Sequence, residues 1–547
     1  MKNKTVTQHA FSLVPKINKP RSVFTRNCGY KTTLDCDYLV PFYFMHVMPG
    51  DSIRVKHSIL MRLLSSAVKP IMDNMQLDWY YFFVPYRLVW ANFQKFMGEQ
   101  ASPADSISYT IPQCTGPNVA SGGIVVQSLH DYFGLPVGPL SGGGGTTGIT
   151  FNNLIPRSYN KIYLDWFKDE NLQNAITLDT GDGPDTFSNY VLLKGGKKFD
   201  YFTSCLPNLQ KGTAVTLSLG TSATVKGNPT ALLSGTQTPT QWLQGDGTAV
   251  TNDKSAAWSG GKLANSATAA PATGQPVYPS NLYADLSTAT SATINTLRQS
   301  IALQQFLEND ARGGTRYTEI VKQRWGVTSP DARLQRSEIL SLGTSAINLT
   351  SVPQTTVPAS VTKNDSLANL GAFGTGSDVG NGFNKSFTEH GTIIGLMKVR
   401  ADLTYQQGID RHWSYRTRYD LYNPEFALLG EQSVLNKEVF ANIPDGTSST
   451  QKDGVFGYQE RYAEERYARS MITGKLRSGV SGTLDVWHLS QEFSALPTLG
   501  STFITLDTPL DRCISVPSEP QWIADVYLDQ RWARVMPMFG VPGLMKL

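Results

Sequence analysis

The sequence predicts an all-β core assembled from both ends of the chain, and three observations carry this. Ile53, Val55, His57, Ile59, Met61 and Leu63 alternate with Ser52, Arg54, Lys56, Ser58, Leu60 and Arg62. Residues 77–84 are apolar or aromatic at nearly every position. Gly (48) and Pro (30) make up roughly one residue in seven, which favours turns over long helices.

The alternation over 52–63 is the period-2 mark of a strand with one buried and one wet face. Met48-Pro49-Gly50-Asp51 before it is turn chemistry. The run at 77–84 suits a strand covered on both faces and ended by Pro85. A third strand is expected over 397–405, with Met397, Val399, Ala401, Leu403 and Tyr405 facing one way and Lys398, Arg400, Asp402 and Thr404 the other. Shorter strand candidates lie at 483–490, 502–506 and 522–528.

Between the two ends the composition changes. Gly, Ala, Ser, Thr and Pro supply 41 of the 64 residues from 212 to 275. So few large apolar groups cannot hold a core of their own, and the segment reads as a loop-rich insertion ordered by neighbours or by its own copies. A second such stretch, 341–384, is expected to be an exposed loop. Ile294, Leu297, Ile301, Phe306 and Leu307 fall at helical spacing up to Gly313-Gly314, a C-cap signal. They predict an amphipathic helix packed on the sheet. The resulting division is 1–205, the first part of the core with a basic N-terminal arm; 206–285, a variable low-charge insertion; and 286–547, the helix and the remaining strands.

Composition excludes several classes. A net charge of +4 is too slight to announce a dedicated nucleic-acid binder. No apolar run reaches the ~18 residues of a membrane span; the most apolar stretch, 38–48, is broken by Pro41 and His46. The amino terminus lacks the apolar segment of a secretory signal. Five cysteines without a CxxC argue against a disulfide framework and for folding in a reducing compartment.

The search for chemistry returns little. Residues 143–148 match GxGxxG but lie in a glycine-rich loop, not between a strand and a helix. No phosphate-binding loop, nucleophile elbow or metal-spaced histidine pair is present. Asp179 to Asp185 reads as a polar turn and not a calcium loop. No catalytic residue, metal ligand or cofactor is expected. Two Arg/Tyr clusters stand out instead: Arg411, Trp413, Tyr415, Arg416, Arg418 and Tyr419, then Arg461, Tyr462, Arg466 and Tyr467. These residue types are enriched at protein–protein hot spots. Glu460, Glu464 and Glu465 would repel phosphate, so contact between subunits is the preferred reading. Lys2, Lys4, Lys16, Lys19, Arg21 and Arg26 precede the first acid, Asp35, and form an arm suited to phosphate contact.

Longer strings then point to a family. Gly29-Tyr30-Lys31-Thr32-Thr33, Tyr38-Leu39-Val40-Pro41 and Phe82-Phe83-Val84-Pro85-Tyr86-Arg87 resemble the start of the major capsid proteins of gokushoviruses, small single-stranded DNA phages of the microvirus group. Similar to later parts of that family are Ala311-Arg312-Gly313-Gly314-Thr315-Arg316-Tyr317, Arg400-Ala401-Asp402-Leu403-Thr404-Tyr405, Phe456-Gly457-Tyr458-Gln459-Glu460-Arg461 and Val541-Pro542-Gly543-Leu544. The resemblance implies an eight-stranded antiparallel jelly roll with long loop insertions and a few helices. It implies a T=1 icosahedral shell of sixty identical subunits around circular single-stranded DNA, with no enzymatic activity and no membrane insertion. The insertion, with Trp242 and Trp258 as its candidate contact residues, would form threefold protrusions that meet a host receptor. A small basic DNA-binding protein is expected to help neutralise the genome, since the shell is only weakly basic. The virion is the expected location, with assembly in the host cytoplasm. The competing readings are a soluble jelly-roll protein that binds glycans or a receptor, and a carbohydrate-active enzyme on a β-sandwich.

Overall fold

A computed structural model describes residues 20–118, 122–138, 148–213, 215, 294–331, 333–356 and 368–539, and the backbone of six short strands between 224 and 285. The chain divides into two compact units, Met1–Leu209 with Ala311–Leu547, and Gln210–Asp310.

The first unit holds one antiparallel sheet of β1 (Ser22–Thr25), β2 (Cys28–Leu34), β3 (Val40–Val47), β4 (Ser52–Leu63), β5 (Met75–Pro85), β6 (Glu338–Pro353), β7 (Leu370–Ser386), β8 (Gly391–Ala401) and β9 (Trp522–Arg534). Both β1 and β2 pair with β9. They are one edge line broken at Arg26-Asn27, where Arg26 N–H donates to Gln530 O and Asn27 Oδ1 accepts from Gln530 N–H. The order across the sheet is then β1/β2, β9, β4, β7, β6, β5, β8, β3. Counted this way, the first strand pairs with the eighth, the second with the seventh, the third with the sixth and the fourth with the fifth. That is the pairing of a jelly roll.

β4 alternates as its sequence predicts, with Ile53, Val55, Ile59 and Met61 inside. β5 is covered on both faces. Leu77, Trp79 and Tyr81 join the main core with Trp522 and Trp532, and Phe82 and Val84 join a second layer with Leu154, Tyr159 and Ile162 of α1 (Leu154–Ile162). Each such side chain taken fully out of water contributes roughly 1.5–3 kcal/mol. α1 is pinned beneath the sheet by Arg157, which bonds Asp185, Val89 O and Gly181 O. The polar turn ending at Asp185 is thus a lock made of carboxylates, with Asp182 receiving Trp90 Nε1–H at 2.7 Å and Asp179 receiving the Tyr190 hydroxyl at 2.9 Å.

Several expectations are corrected. The stretch 341–384 is not a loop, because its described residues supply most of β6 and β7 at the centre of the sheet. Its residues are small because neighbours fill the space. A Cβ on Gly343 would clash with the Trp79 ring, and one on Gly374 would meet Leu349 and Trp522. The strand expected over 397–405 begins earlier and ends at Ala401, and both of its faces are buried. Lys398 and Arg400 are inside rather than wet. Arg400 Nε donates to Asp78 at 2.7 Å, and Lys398 Nζ stands 3.8 Å from the same carboxylate. The candidates at 483–490 and 502–506 contain single helical turns, Asp485–Trp487 and Ser501–Ile504, whereas 522–528 opens β9.

In the second unit the short strands Ser255–Ser259 and Lys262–Ser266, Trp242–Leu243 and Tyr278–Pro279, and Thr224–Gly227 and Leu282–Asp285 pair antiparallel. The predicted helix is α2 (Ile294–Arg312), followed by Gly313-Gly314. Ile294, Leu297, Ile301 and Phe306 on its apolar stripe are exposed.

The buried histidines give the fold a pH signature. His57 bonds the Tyr81 hydroxyl at 3.0 Å and Asp378 at 2.8 Å. His130 stacks on Phe187, with ring centroids 4.1 Å apart, and its buried Nε2 has no hydrogen-bond partner. Burial lowers the His130 pKa from 6.5 to about 4, and it is the largest cause of the downward shift of His57. A proton therefore binds the unfolded chain first. The stability His130 contributes is fully present above about pH 6.5 and is lost as the pH falls towards 4. Urea unfolding of His130→Phe is expected to show a flatter pH dependence over this window, by up to about 3 kcal/mol.

Candidate intersubunit surface

The first Arg/Tyr cluster opens on a 3₁₀ turn, Arg411–Ser414, whose N-cap Asp410 accepts from His412 N–H at 3.0 Å. Arg411 turns inward, donating to Ser433 O at 2.9 Å and Glu438 Oε1 at 2.7 Å. Glu438 is fully buried and also receives Leu435 N–H and the Tyr201 hydroxyl, both at 2.8 Å. Burial works against the Arg411 cation, but its bond to Glu438 outweighs that and raises the guanidinium pKa. Burial and Glu438 together push the Tyr201 phenol far up.

The second cluster folds against the first. Tyr415 donates to Glu464 at 3.1 Å and to Glu465 at 3.3 Å, while His412 Nε2 stands 3.3 Å from Glu465. Arg461 donates to Tyr419 O at 3.1 Å, and its guanidinium lies 4.6 Å from the centre of the Tyr462 ring. Tyr462 is buried, with φ +59°, and its hydroxyl donates to Leu421 O at 3.3 Å. Arg466 pairs with Glu460, and Arg469 donates to Glu438 O at 3.0 Å. The interleaved glutamates are therefore internal braces. They hold two segments some fifty residues apart in sequence as one surface, and the bond to Asp410 is the largest cause of a raised His412 pKa.

On that braced frame the chain leaves large side chains open. Trp413 is 84% exposed, and Tyr419 and Tyr467 are about half exposed, with Arg416, Arg418 and Arg466 also at the surface. Arg418 donates to the Tyr419 hydroxyl at 2.7 Å. Sequence reasoning missed Leu421, Tyr422, Leu428 (96% exposed) and Leu429. The available signal was the apolar density of 421–429 without any helical or strand period. Exposed apolar side chains gathered along one segment mark an interaction site.

The other candidates are placed as follows. Lys2, Lys4, Lys16 and Lys19 lie outside the described residues. Arg21 bonds Gly50 O and, at 3.2 Å, Ser52 Oγ. The Arg26 guanidinium lies 5.0 Å from the centre of the Trp532 ring. Trp242 is on the short strand paired with Tyr278–Pro279, and Trp258 on Ser255–Ser259. Among the described residues no group of three or more His, Cys, Asp and Glu side chains is placed to hold a metal ion, and no helix is long and apolar enough to cross a membrane.

The family model described as "Capsid protein (F protein)" matches residues 12–544. The chain belongs to this capsid protein family. It is 44% identical to the capsid protein VP1 of Bdellovibrio phage phiMH2K over 98% of each chain. It is 38% identical to capsid protein VP1 of Chlamydia phage 1 over 99% of each, and 36% identical to that of Spiroplasma virus 4 over 98% of each. The resemblance to gokushovirus major capsid proteins is thereby shown. This F-family chain is a capsid protein of a microvirus-type single-stranded DNA phage, a structural component of the virion and not an enzyme.

Proposed function

We propose that sixty identical copies of the chain close into a T=1 icosahedral shell around a circular single-stranded DNA genome, assembling in the host cytoplasm. The surface of Trp413, Tyr419, Leu428, Leu429 and Tyr467, braced from behind by Arg411, Glu438 and Tyr462, is the observation that carries this reading. It combines exposed anchors with a rigid support, which is what a specific contact needs. Shell closure requires heterologous contacts related by fixed rotations, each burying roughly 1,200–2,000 Å². Contacts of modest strength become strong when each subunit has several neighbours. The basic arm with Lys2, Lys4, Lys16 and Lys19 contacts phosphate, aided by a small basic DNA-binding protein because the whole chain carries only +4. The insertion at 206–285 forms threefold protrusions and meets the host receptor, with Trp242 and Trp258 as its contact residues.

Electron microscopy of the purified chain tests the shell, and deletion of 212–275 tests the insertion. Closed particles of uniform diameter are expected from both proteins, with adsorption to host cells lost only in the deletion. Stable monomers or trimers of the full chain would overturn the shell in favour of a soluble binding protein. Insoluble deletion protein would place the insertion in the core.

A further inference from the structure

The half of the sheet formed by β1/β2, β9, β4 and β7 buries one face and leaves the other open. On the open face, Leu60, Val379 and Tyr527 are each at least half exposed. The same face carries Arg54, Lys56 and Arg62 from β4 and Arg531 from β9, all exposed. None of these four has an ion-pair or hydrogen-bond partner among the described residues.

The register sets these charges together. Arg531 is directly opposite Arg54, and across β4 from that pair stands Asn384 of β7. Like charges directly opposite each other on neighbouring strands destabilise a sheet. The carboxylates on the face do not resolve the excess. Asp525 is taken by Lys31, and Asp529, opposite Lys56, is the remaining one. Arg21, bonded to Ser52 Oγ and Ala533 O, adds a further cation one row from the Arg54 and Arg531 pair. The sequence before Arg21 is itself basic, so the chain's own arm does not supply the missing anion.

We propose that this open face is a binding surface for the phosphate backbone of single-stranded DNA, with Arg54 and Arg531 clamping a phosphate between them. The inference rests on the reading of the chain as a genome-enclosing shell and gives that reading a site. Two adjacent guanidinium forks offer parallel donors to phosphate oxygens, and the anion turns the repulsion between them into attraction. Lys56 and Arg62 extend the cationic track along β4, and Tyr527, half exposed between them, offers a ring on which a base can stack. Selectivity for base sequence is not expected, because the groups address phosphate and ring faces.

The test uses the full-length chain, an oligothymidylate as probe, and the variant carrying Arg54→Gln, Lys56→Gln, Arg62→Gln and Arg531→Gln. Between roughly 50 and 200 mM salt, the wild type is expected to bind with a steep salt dependence, shallower in the variant by about 0.7 in log–log slope for each lost phosphate contact. At low salt the variant is expected to bind at least about tenfold more weakly. An unchanged slope in the variant overturns this face while leaving the packaging reading intact. A wild type with no affinity for the probe overturns both. Variant protein that keeps its DNA slope but no longer self-associates assigns the face to contact between copies instead. The single change Arg54→Gln is a second measure should the fourfold variant not fold. Relief of repulsion is expected to raise its thermal midpoint in low salt and to leave it unmoved in high salt, and a lower midpoint overturns the clamp.

Discussion

Replacing Asp185 by Asn is expected to destabilise the subunit by about 3–5 kcal/mol, because it strands a charge in the interior. Arg157 is fully buried on α1, and its Nε and Nη2 reach the two Asp185 oxygens at 2.7 and 2.5 Å. Asn153 and the Tyr190 hydroxyl bond the same carboxylate. An Asn side chain has nearly the same shape but carries no charge to balance the guanidinium. The loss should reach the whole layer in which Leu154, Tyr159 and Ile162 pack under β5 and β8. Replacing both partners together, Arg157→Met with Asp185→Leu, should cost less than the two single changes summed, since no buried charge is left without its counter-ion, although Val89 O, Gly181 O and Asn153 each lose a hydrogen bond. Burial alone would raise the Asp185 carboxyl, but the bonds from Arg157 and Asn153 outweigh it and hold the pKa below 3.8. The contribution is therefore complete above that value and disappears as the pH falls through the depressed one. Urea midpoints of the unassembled subunits at neutral and acidic pH measure both effects. A neutral Asp185→Asn variant would show that Arg157 finds solvent or another partner.

The contrast between this lock and the central strands explains which parts of the fold were legible. β4 could be read because one of its faces meets water, so burial writes itself as alternation. β5 could be read because two apolar layers claim both of its faces. β6 and β7 could not, because the volume at their positions comes from Trp79, Trp522 and Met61 on other strands, leaving Gly343, Gly374 and Gly376 with a composition typical of loops. Lys398 and Arg400 looked like a wet face for a related reason. Their neutralising partner, Asp78, is more than three hundred residues away and becomes adjacent only through the pairing of β8 with β5. The interaction surface was half legible. Arg and Tyr density marked the two segments, but the chain spends Arg411 and Tyr462 on its own interior. The open leucines at 421, 428 and 429 obey no period that a single strand of text reveals.

Truncating the exposed anchors, Trp413→Ala with Leu428→Ala, is expected to abolish closed particles while leaving the subunit folded. Both side chains are almost wholly open to solvent, so their removal leaves no cavity in the chain and should shift the urea midpoint by less than about 0.5 kcal/mol. At an interface the same truncations cost about 2 kcal/mol or more each when the residue is a hot spot. Every copy carries the change, so the penalty recurs at each contact and assembly falls far more steeply than any single contact weakens. Arg411→Ala should behave in the opposite way, because it leaves Glu438 buried without its cation and lowers folding stability itself. Light scattering and microscopy of the double variant, beside urea unfolding of both proteins, separate the two roles. Trp413→Phe should restore part of the assembly, since an aromatic anchor of smaller area still fills most of a pocket made for indole. Particles of normal yield from the double variant would move the contact elsewhere on the molecule and leave the surface on Arg411 and Tyr462 without a partner.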